Sequence, residues 1–245
     1  MATLTDGAGR RALLEDLRAK IGRIERGRGA DAGTVALDGD GPLDRALPWG
    51  GLPRGALHEV AMEGAGAAGI GFAAALAIRF AGISGVVFWI ATRLGEIETG
   101  LPYPPGLAAL GLDPARLLHV RAARARDALW AAEEALRSGK PAATLIEVED
   151  VDLVAGRRLQ LAAEAGGLAG LLLRPAQRTE ASAALSRWQV APAAPAPAWH
   201  LRLRARGGAE REWDRIEWDH ATHRFRVAAA LADRSDRAPQ TRRVG

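Results

Sequence analysis

A glycine-rich segment directly after an apolar run carries the strongest chemical signal in this sequence. Residues 56–61 read Ala-Leu-His-Glu-Val-Ala, and Gly64, Gly66 and Gly69 follow before an alanine-rich stretch at 72–80. This order of strand, glycine-rich loop and helix is the layout of a phosphate-binding loop, in which backbone N–H groups hold phosphate oxygens. The segment therefore predicts a loop at residues 62–71 with the architecture of a nucleotide pocket.

Two side chains that nucleotide chemistry requires are missing from this loop. Where a phosphate-binding loop ends in Gly-Lys-Ser/Thr, this sequence has Gly69, Ile70 and Gly71. Ile70 offers no charge to the β- and γ-phosphates, and Gly71 has no hydroxyl for Mg²⁺. The helix N-terminus alone is worth only about 1 kcal/mol to a bound anion. The sequence predicts a degenerate nucleotide site that needs neither ATP nor Mg²⁺ as a cofactor and does not hydrolyse ATP.

An acidic residue at a strand end is the one remaining element of such a site. Glu149 follows the apolar run at 143–148, where a carboxylate would hold Mg²⁺. With Ile70 and Gly71 in the loop, we interpret Glu149 as a remnant. The alternative is a nucleotide-dependent switch or weak ATPase with a deviant phosphate loop. The sequence offers no account of Glu147, which interrupts the same apolar run.

The composition is that of a globular protein. The chain has 245 residues, of which 48% are hydrophobic and 25% charged, enough for one large α/β domain. It has no cysteine, which excludes disulfides and thiolate metal sites. The formal net charge of +4 is a mild attraction for nucleic acid. No signal peptide or membrane-spanning run is present, so we expect a cytoplasmic protein that is nucleoid-associated when acting.

Strand-like and helix-like segments alternate through the middle of the chain. Such alternation predicts right-handed crossovers and a mostly parallel, twisted sheet flanked by helices. Strands are expected at 56–61, 86–91, 117–120, 143–148 and 168–173, and helices at 72–80, 107–110, from a cap at Asp127 to Gly139, and at 157–165.

The pattern changes after residue 175. A Pro/Ala stretch at 191–198 precedes a segment in which apolar and polar residues alternate, and later apolar pairs indicate two further strands. We expect antiparallel strands added to the parallel sheet, with a basic outer face. The alternating segment has Trp199, Leu201, Leu203 and Ala205 on one face and His200, Arg202, Arg204 and Arg206 on the other.

The N-terminal segment has the spacing of an amphipathic helix. Residues 9–26 carry apolar side chains at helical intervals, and a Gly/Asp-rich linker follows at 27–41. The helix either folds back on the core or docks on a partner, and composition does not decide between them. We divide the chain into an N-terminal helix and linker (1–42), a core with its C-terminal extension (43–228) and a basic tail without fixed structure (229–245). The apolar stripe is Leu13, Leu17, Ile21 and Ile24, with Leu14 beside it.

Longer strings of residues resemble a known family. Three segments resemble, in the same order, segments of RecA-type recombinases: 50–60 (Gly-Gly-Leu-Pro-Arg-Gly-Ala-Leu-His-Glu-Val), 111–120 and 127–139. Together with 157–164 (Arg-Arg-Leu-Gln-Leu-Ala-Ala-Glu) and 218–226, they are still more similar to the ImuA family of RecA-derived proteins. The similarity extends from about residue 43 to residue 228.

The resemblance implies a RecA-like core and a non-catalytic adaptor role in mutagenic translesion DNA synthesis. The partners it implies are ImuB, an inactive Y-family polymerase homologue, an error-prone C-family polymerase, and RecA. In RecA-like proteins the acid of the Mg²⁺ site falls at the position of Glu149. Their catalytic carboxylate follows the strand at 86–91, where this chain has Thr92, with Glu96 and Glu98 a few residues on.

Candidate surfaces complete the prediction. RecA-like proteins bind DNA through loops, which makes the segment at 174–187 and the basic strand face candidates for weak, salt-dependent contact with single-stranded DNA. A stand-alone DNA-binding protein is the second alternative. The pair His220 and His223 beside Asp219 lacks a further strong ligand, so we expect no metal. Tryptophans such as Trp130 are expected to be core or interface residues. The DNA candidates are Arg178, Arg187, Trp188, Arg202 and Arg204; the partner candidates are the N-terminal stripe, Trp213 and Trp218.

Overall fold

The computed structural model describes residues 33–63, 66–148, 150–176 and 182–228. The predicted N-terminal helix, with its stripe, and the tail at 229–245 lie outside the described residues. So do Gly64, Glu149 and Arg178 among the candidate site residues.

One large sheet organises the described part of the chain. The strands are β1 (Thr34–Val35), β2 (Leu52–Pro53), β3 (Ala56–Met62), β4 (Val87–Thr92), β5 (Leu117–Ala122), β6 (Ala143–Glu147), β7 (Ala169–Pro175), β8 (Ser186–Ala193), β9 (Ala198–Ala205), β10 (Arg211–Asp219) and β11 (Arg224–Val227). Strands β1 and β2 form a small antiparallel pair, and the others form a nine-stranded sheet in the order β11-β10-β9-β8-β3-β7-β6-β4-β5.

Helices cover both faces of this sheet. They are α1 (Pro42–Ala46), α2 (Ala67–Ala81), α3 (Arg93–Thr99), α4 (Pro104–Leu110), α5 (Ala125–Arg137) and α6 (Leu153–Gly166), with a 3₁₀ turn at Pro114–Arg116. The predicted fold class is confirmed. The cap predicted at Asp127 is wrong, because α5 begins earlier and Asp127 lies in its first turn. Among the described helices, none has the length and hydropathy needed to cross a membrane.

The parallel part of the sheet follows from its apolar strands. Strands β3, β6 and β7 are buried along nearly their whole length, as expected of strands covered by helices on both faces. Strand β3 lies between β7 and β8 and is parallel to both. The carboxyl ends of β3, β4 and β6 therefore share one edge, and that edge is where the predicted site falls.

The antiparallel extension is confirmed. Strand β9 alternates as predicted: its apolar residues are buried and His200, Arg202 and Arg204 are exposed. The Pro/Ala stretch at 191–198 is strand at its beginning, where β8 continues to Ala193, and a turn then leads into β9. Pairing of β8 with β9 from Ser186↔Ala205 to Ala193↔Ala198 supplies the backbone hydrogen bonds that extend this strand.

The segment expected to be a linker is partly packed on the core. Val35 and Leu37 are buried, and the Asp44 carboxylate accepts hydrogen bonds from the backbone N–H groups of Leu37, Asp38 and Asp40. These bonds fix the backbone that leads into α1. Within 33–41, therefore, the chain is held by side-chain acceptors as well as by apolar burial.

A buried histidine joins the start of the core to the antiparallel extension. His58 on β3 is fully buried, and its Nε2–H donates to the carbonyl of Pro53 at 2.9 Å. The Ser186 hydroxyl lies 2.8 Å from His58 Nδ1 and accepts from Trp188 Nε1–H at 3.0 Å. Because the carbonyl only accepts, His58 is the neutral Nε2–H tautomer and Ser186 donates to Nδ1. Burial lowers the pKa of His58 to about 4.

We expect this histidine to make stability pH-dependent. Its pKa is about 6.5 when unfolded and about 4 when folded, so the unfolded chain binds more protons between these values. The free energy of unfolding contributed by neutral His58 is fully present above pH 6.5 and falls by about 3 kcal/mol as the pH drops to 4. Urea denaturation of the wild type and of His58→Gln across this range measures the difference. Parallel curves for the two proteins would contradict the prediction.

Candidate functional site

The glycine-rich segment forms a shorter loop than predicted. Strand β3 ends at Met62 and α2 begins at Ala67, so only residues 63–66 connect them. Gly66 is the N-cap in the left-handed region, with φ of 79°, which glycine adopts without steric cost. The loop predicted at 62–71 is therefore wrong at its far end. Ile70 and Gly71 lie within the helix because the alanine-rich sequence continues it back to Ala67.

Close packing of α2 on β3 explains one of the loop glycines. A Cβ atom placed on Gly69 would overlap the Met62 side chain, whereas a Cβ on Gly71 would sit 3.8 Å from Trp199 Cζ2, an ordinary contact. Gly69 is thus required for the approach of helix to strand. Gly71 is not constrained in this way, so its lack of a hydroxyl is independent of packing.

An apolar pocket of about 250 Å³ opens beside Ile70 and Gly71. The first turns of α2 form one wall, the chain from the end of α3 through α4 forms the other, and Trp89 of β4 adds an aromatic surface. None of the described residues that line it carries a charge. The principal lining residues are Ile70, Gly71, Trp89, Leu101, Tyr103 and Leu107.

The described pocket lining lacks the cation that holds the phosphates of a nucleoside triphosphate in a phosphate-binding loop. The volume of the pocket lies below the lower bound of about 300 Å³ for typical small-molecule sites. Phosphates placed against Ile70 would lose water without gaining a cation, which is costly for buried charge. The arrangement instead suits an apolar side chain, for which burial is favourable in proportion to area.

A buried carboxylate stands behind the pocket. Glu147 at the end of β6 accepts a hydrogen bond from Trp89 Nε1–H at 2.9 Å, and its other oxygen accepts from the Thr99 hydroxyl. These contacts join β6, β4 and the end of α3. Glu147, unexplained by the sequence, is therefore a structural acceptor that orients the Trp89 indole. Its signal in the sequence was only the presence of an acid within an apolar strand.

The residues after β4 also have structural partners. The Thr92 hydroxyl accepts from the backbone N–H of Gly95 and caps α3. Glu96 is buried and lies 3.1 Å from His119 Nε2, with its other oxygen against Arg121 Nε. Glu96, the acid nearest the position that a catalytic carboxylate would occupy, therefore forms an ion pair with Arg121 on β5.

The structure removes Trp188 from the DNA-binding candidates. Its side chain is fully buried on β8, where the ring packs against Phe72 with centroids 5.5 Å apart. The sequence interpretation failed because it placed 174–187 in a loop, whereas β8 begins at Ser186 beside β3. Arg187 is half-buried, and its Nε lies 2.9 Å from Oε1 of the fully buried Glu59.

The arginine face of β9 is paired with acids of the neighbouring strand and turn. Arg202 NH2 lies 3.3 Å from Glu212, and Arg204 Nε lies 2.9 Å from Glu210. Both arginine side chains are substantially exposed, so these ion pairs are individually weak. Their effect is to reduce the basic potential that the sequence alone predicted for this face.

The tryptophans predicted to mark partner surface are largely core residues. Trp218 is buried, and its Nε1–H donates to the carbonyl of Leu110 at 2.9 Å. Trp213 is partly buried and stacks on Trp188 with centroids 6.5 Å apart. The prediction for Trp218 is wrong, because β10 turns this side chain onto α4. Trp130, expected to be a core or an interface residue, is 63% exposed on α5 and therefore does not belong to the core.

Other exposed apolar side chains were missed by the sequence interpretation. Ile97, Leu101 and Tyr103 are 75%, 58% and 69% exposed and lie in or beside the segment that walls the pocket. The signal available was a stretch without charge at 99–112. Among the described residues no group of three or more His, Asp or Glu could hold a metal; His220 Nδ1 contacts the carbonyl of Ala109, and His223 stacks on Trp218.

Fold and site together define an α/β protein with a mostly parallel sheet and a phosphate-loop position that lacks the lysine and the hydroxyl. The sequence is 37% identical over 239 residues to the Protein ImuA of two strains of Caulobacter vibrioides, a match covering 84% of this chain and 94% of those proteins. The chain belongs to the ImuA family.

Two further comparisons add no functional argument. No family model matches the sequence. A solved structure, SulA from Pseudomonas aeruginosa, aligns with a TM-score of 0.39 and 20% identity over 49% of this chain and 97% of that one. At that score the likeness bears on neither mechanism nor partners.

A pair of alanine substitutions tests the packing at the start of α2. Gly69→Ala would drive a methyl group into Met62, and we expect a loss of about 1–3 kcal/mol in the free energy of unfolding. Gly71→Ala meets only an ordinary contact and removes a helix glycine, so we expect a change within about 1 kcal/mol, toward stabilisation. Urea denaturation of both variants measures this contrast. Equal effects would show that the approach of α2 to β3 is not the constraint.

Substitutions of Glu147 test its role as a buried acceptor. Glu147→Leu leaves the Trp89 N–H and the Thr99 hydroxyl without their acceptor, and we expect a destabilisation of about 1–3 kcal/mol. Glu147→Gln keeps one acceptor oxygen and should cost less. Urea denaturation of the two variants and of the wild type measures these differences in stability. Equal losses with glutamine and with leucine would contradict the prediction, because they would show that the charge absent from both variants matters and that an acceptor oxygen does not.

Proposed function

We propose that this chain is a non-catalytic, RecA-like adaptor of the mutagenic, damage-inducible translesion synthesis machinery. The observation that carries the proposal is the pair Ile70 and Gly71 on the wall of an uncharged pocket, in a member of the ImuA family. A RecA-like core without a phosphate-binding cation keeps its surfaces but lacks the means to couple them to ATP.

The partners we propose are an ImuB-like Y-family polymerase homologue, an error-prone C-family polymerase and RecA. Exposed apolar side chains on the described surface support a protein-binding role, because aromatic and aliphatic residues dominate the energetics of interfaces. Trp130 on α5 and the group at Ile97, Leu101 and Tyr103 are the surfaces we assign to such contacts. The N-terminal stripe remains a candidate outside the described residues.

Two other functions, a nucleotide-dependent switch and a DNA-binding protein, have less support from the described contacts. A nucleotide-dependent switch would need a cation at the pocket, and the described lining residues have none. A DNA-binding protein would use Arg202 and Arg204, whose charges face Glu212 and Glu210. DNA binding through this face would be weak and steeply salt-dependent.

Nucleotide binding distinguishes the adaptor from the switch. Titrating the protein with a fluorescent ATP analogue and Mg²⁺, with and without single-stranded DNA, should show neither saturable binding at micromolar concentrations nor phosphate release. Binding to a purified ImuB-like partner, measured by analytical ultracentrifugation, should occur with the same Kd whether or not ATP and Mg²⁺ are present. A ligand that does not distinguish two states cannot shift their equilibrium.

The double variant Ile70→Lys, Gly71→Thr is the matched control for this measurement. If the variant binds the ATP analogue and the wild type does not, these two positions account for the absence of nucleotide binding in the wild type. Saturable binding and turnover in the wild type would contradict the adaptor proposal. An ATP-dependent change in partner affinity would establish the switch instead.

A further inference from the structure

Two uncharged stretches of sequence face each other across the apolar pocket. Residues 64–78 and 99–112 contain no Asp, Glu, Lys, Arg or His. The first includes the start of α2 and the second runs through α4, and together with Trp89 they supply the pocket lining. The rim is open, since Leu101 and Tyr103 are more than half exposed. Hereafter the pocket and this rim are called the α2–α4 cleft.

The α2–α4 cleft fits apolar side chains better than a free small molecule. Its volume of about 250 Å³ is that of a receptacle for one or two side chains. Exposure of aliphatic and aromatic groups to water is unfavourable, so covering this uncharged surface lowers the free energy of the protein. A helix that presents apolar residues every three or four positions is a common occupant of such grooves.

The chain itself supplies a segment of that description. Leu13, Leu17, Ile21 and Ile24 recur at helical spacing in the 32 residues that precede Gly33. The described chain starts next to the far end of α2: the Gly33 carbonyl accepts from Arg54 N–H, and Arg54 NH2 donates to the Phe80 carbonyl, at 3.0 Å in each case.

The tether is long enough to reach the cleft. Ile70 and Phe80 are on the same helix and lie about 15 Å apart at ~1.5 Å per residue. The chain from Ile24 to Gly33 spans up to about 30 Å when extended, at ~3.3 Å per residue. Ile24 and Ile21 can therefore arrive at the pocket without any change in the described fold.

We propose that the α2–α4 cleft binds the apolar stripe of the N-terminal segment of the same chain. Ile21 and Ile24 occupy the pocket beside Ile70, and Leu101 and Tyr103 cover them. Docking removes both apolar surfaces from water and makes the stripe unavailable to other proteins while it is bound. The inference does not depend on the adaptor role.

The absence of cysteine from the chain allows a direct test by disulfide trapping. Ile24→Cys is combined with Leu101→Cys at the rim, or with Ile83→Cys, which is 96% exposed just beyond the end of α2. Ile83 is nearer to the tether at Gly33, so an undocked segment would meet it more often. Docking reverses this order, because it raises the effective concentration of the thiols introduced at positions 24 and 101 near each other. We therefore expect the Leu101 pair to form its disulfide at least about ten-fold faster than the Ile83 pair, and within one chain.

Matched substitutions connect trapping to the apolar stripe. Leu17→Ser should reduce the rate of the Leu101 pair, and Arg18→Ser, on the polar face of the same predicted helix, should leave it unchanged. Circular dichroism of each variant before oxidation checks that the fold is retained. A Leu101 pair no faster than the Ile83 pair would overturn the proposal. Disulfide-linked dimers at the Leu101 pair would also overturn it, by identifying a second copy as the occupant.

Discussion

The approach of α2 to β3 is the constraint on which the rest of the site depends. Gly69 allows the helix to lie against Met62, and the alanines that follow keep it close to the sheet along its buried length. This packing begins the helix at Ala67, leaves residues 63–66 as the loop and carries Ile70 into an apolar environment. A longer phosphate-cradling loop and this helix packing compete for the same residues, and here the packing has prevailed.

The same packing recruits the C-terminal strands into the core. Phe72 of α2 meets Trp188, Trp199 and Phe225 at centroid distances of 5.2 to 5.6 Å, so three strands of the extension contact one helix residue. Acidic groups near the strand ends likewise have internal partners: Glu147 accepts from Trp89 and Thr99, and Glu96 lies against Arg121 of β5. Residue types suited to catalysis are thus engaged in holding elements together.

The sequence predicted what depends on periodicity and missed what depends on long-range pairing. Apolar runs and the alternation in β9 revealed the sheet, and the loop sequence revealed the absent lysine and hydroxyl. The place of Trp188 was unpredictable from local pattern, because its burial follows from β8 pairing with β3, whose residues lie about 130 positions earlier. The role of Glu147 required Trp89 and Thr99, which reach it from other elements. The apolar cleft needed the juxtaposition of two uncharged stretches that are adjacent only in the fold.

An adaptor of the kind proposed, which does not use ATP, must regulate its contacts by other means. Two sites are coupled only where a ligand binds two states of the protein with different affinity. The described lining of the α2–α4 cleft has no charge through which a nucleotide would bind one state more tightly than the other. Competition for one apolar surface is one such means. Competition has a structural basis here, because an uncharged cleft of this size accepts few side chains at a time. Whatever fills it excludes the next occupant, and such exclusion would give an adaptor two states without any hydrolysis.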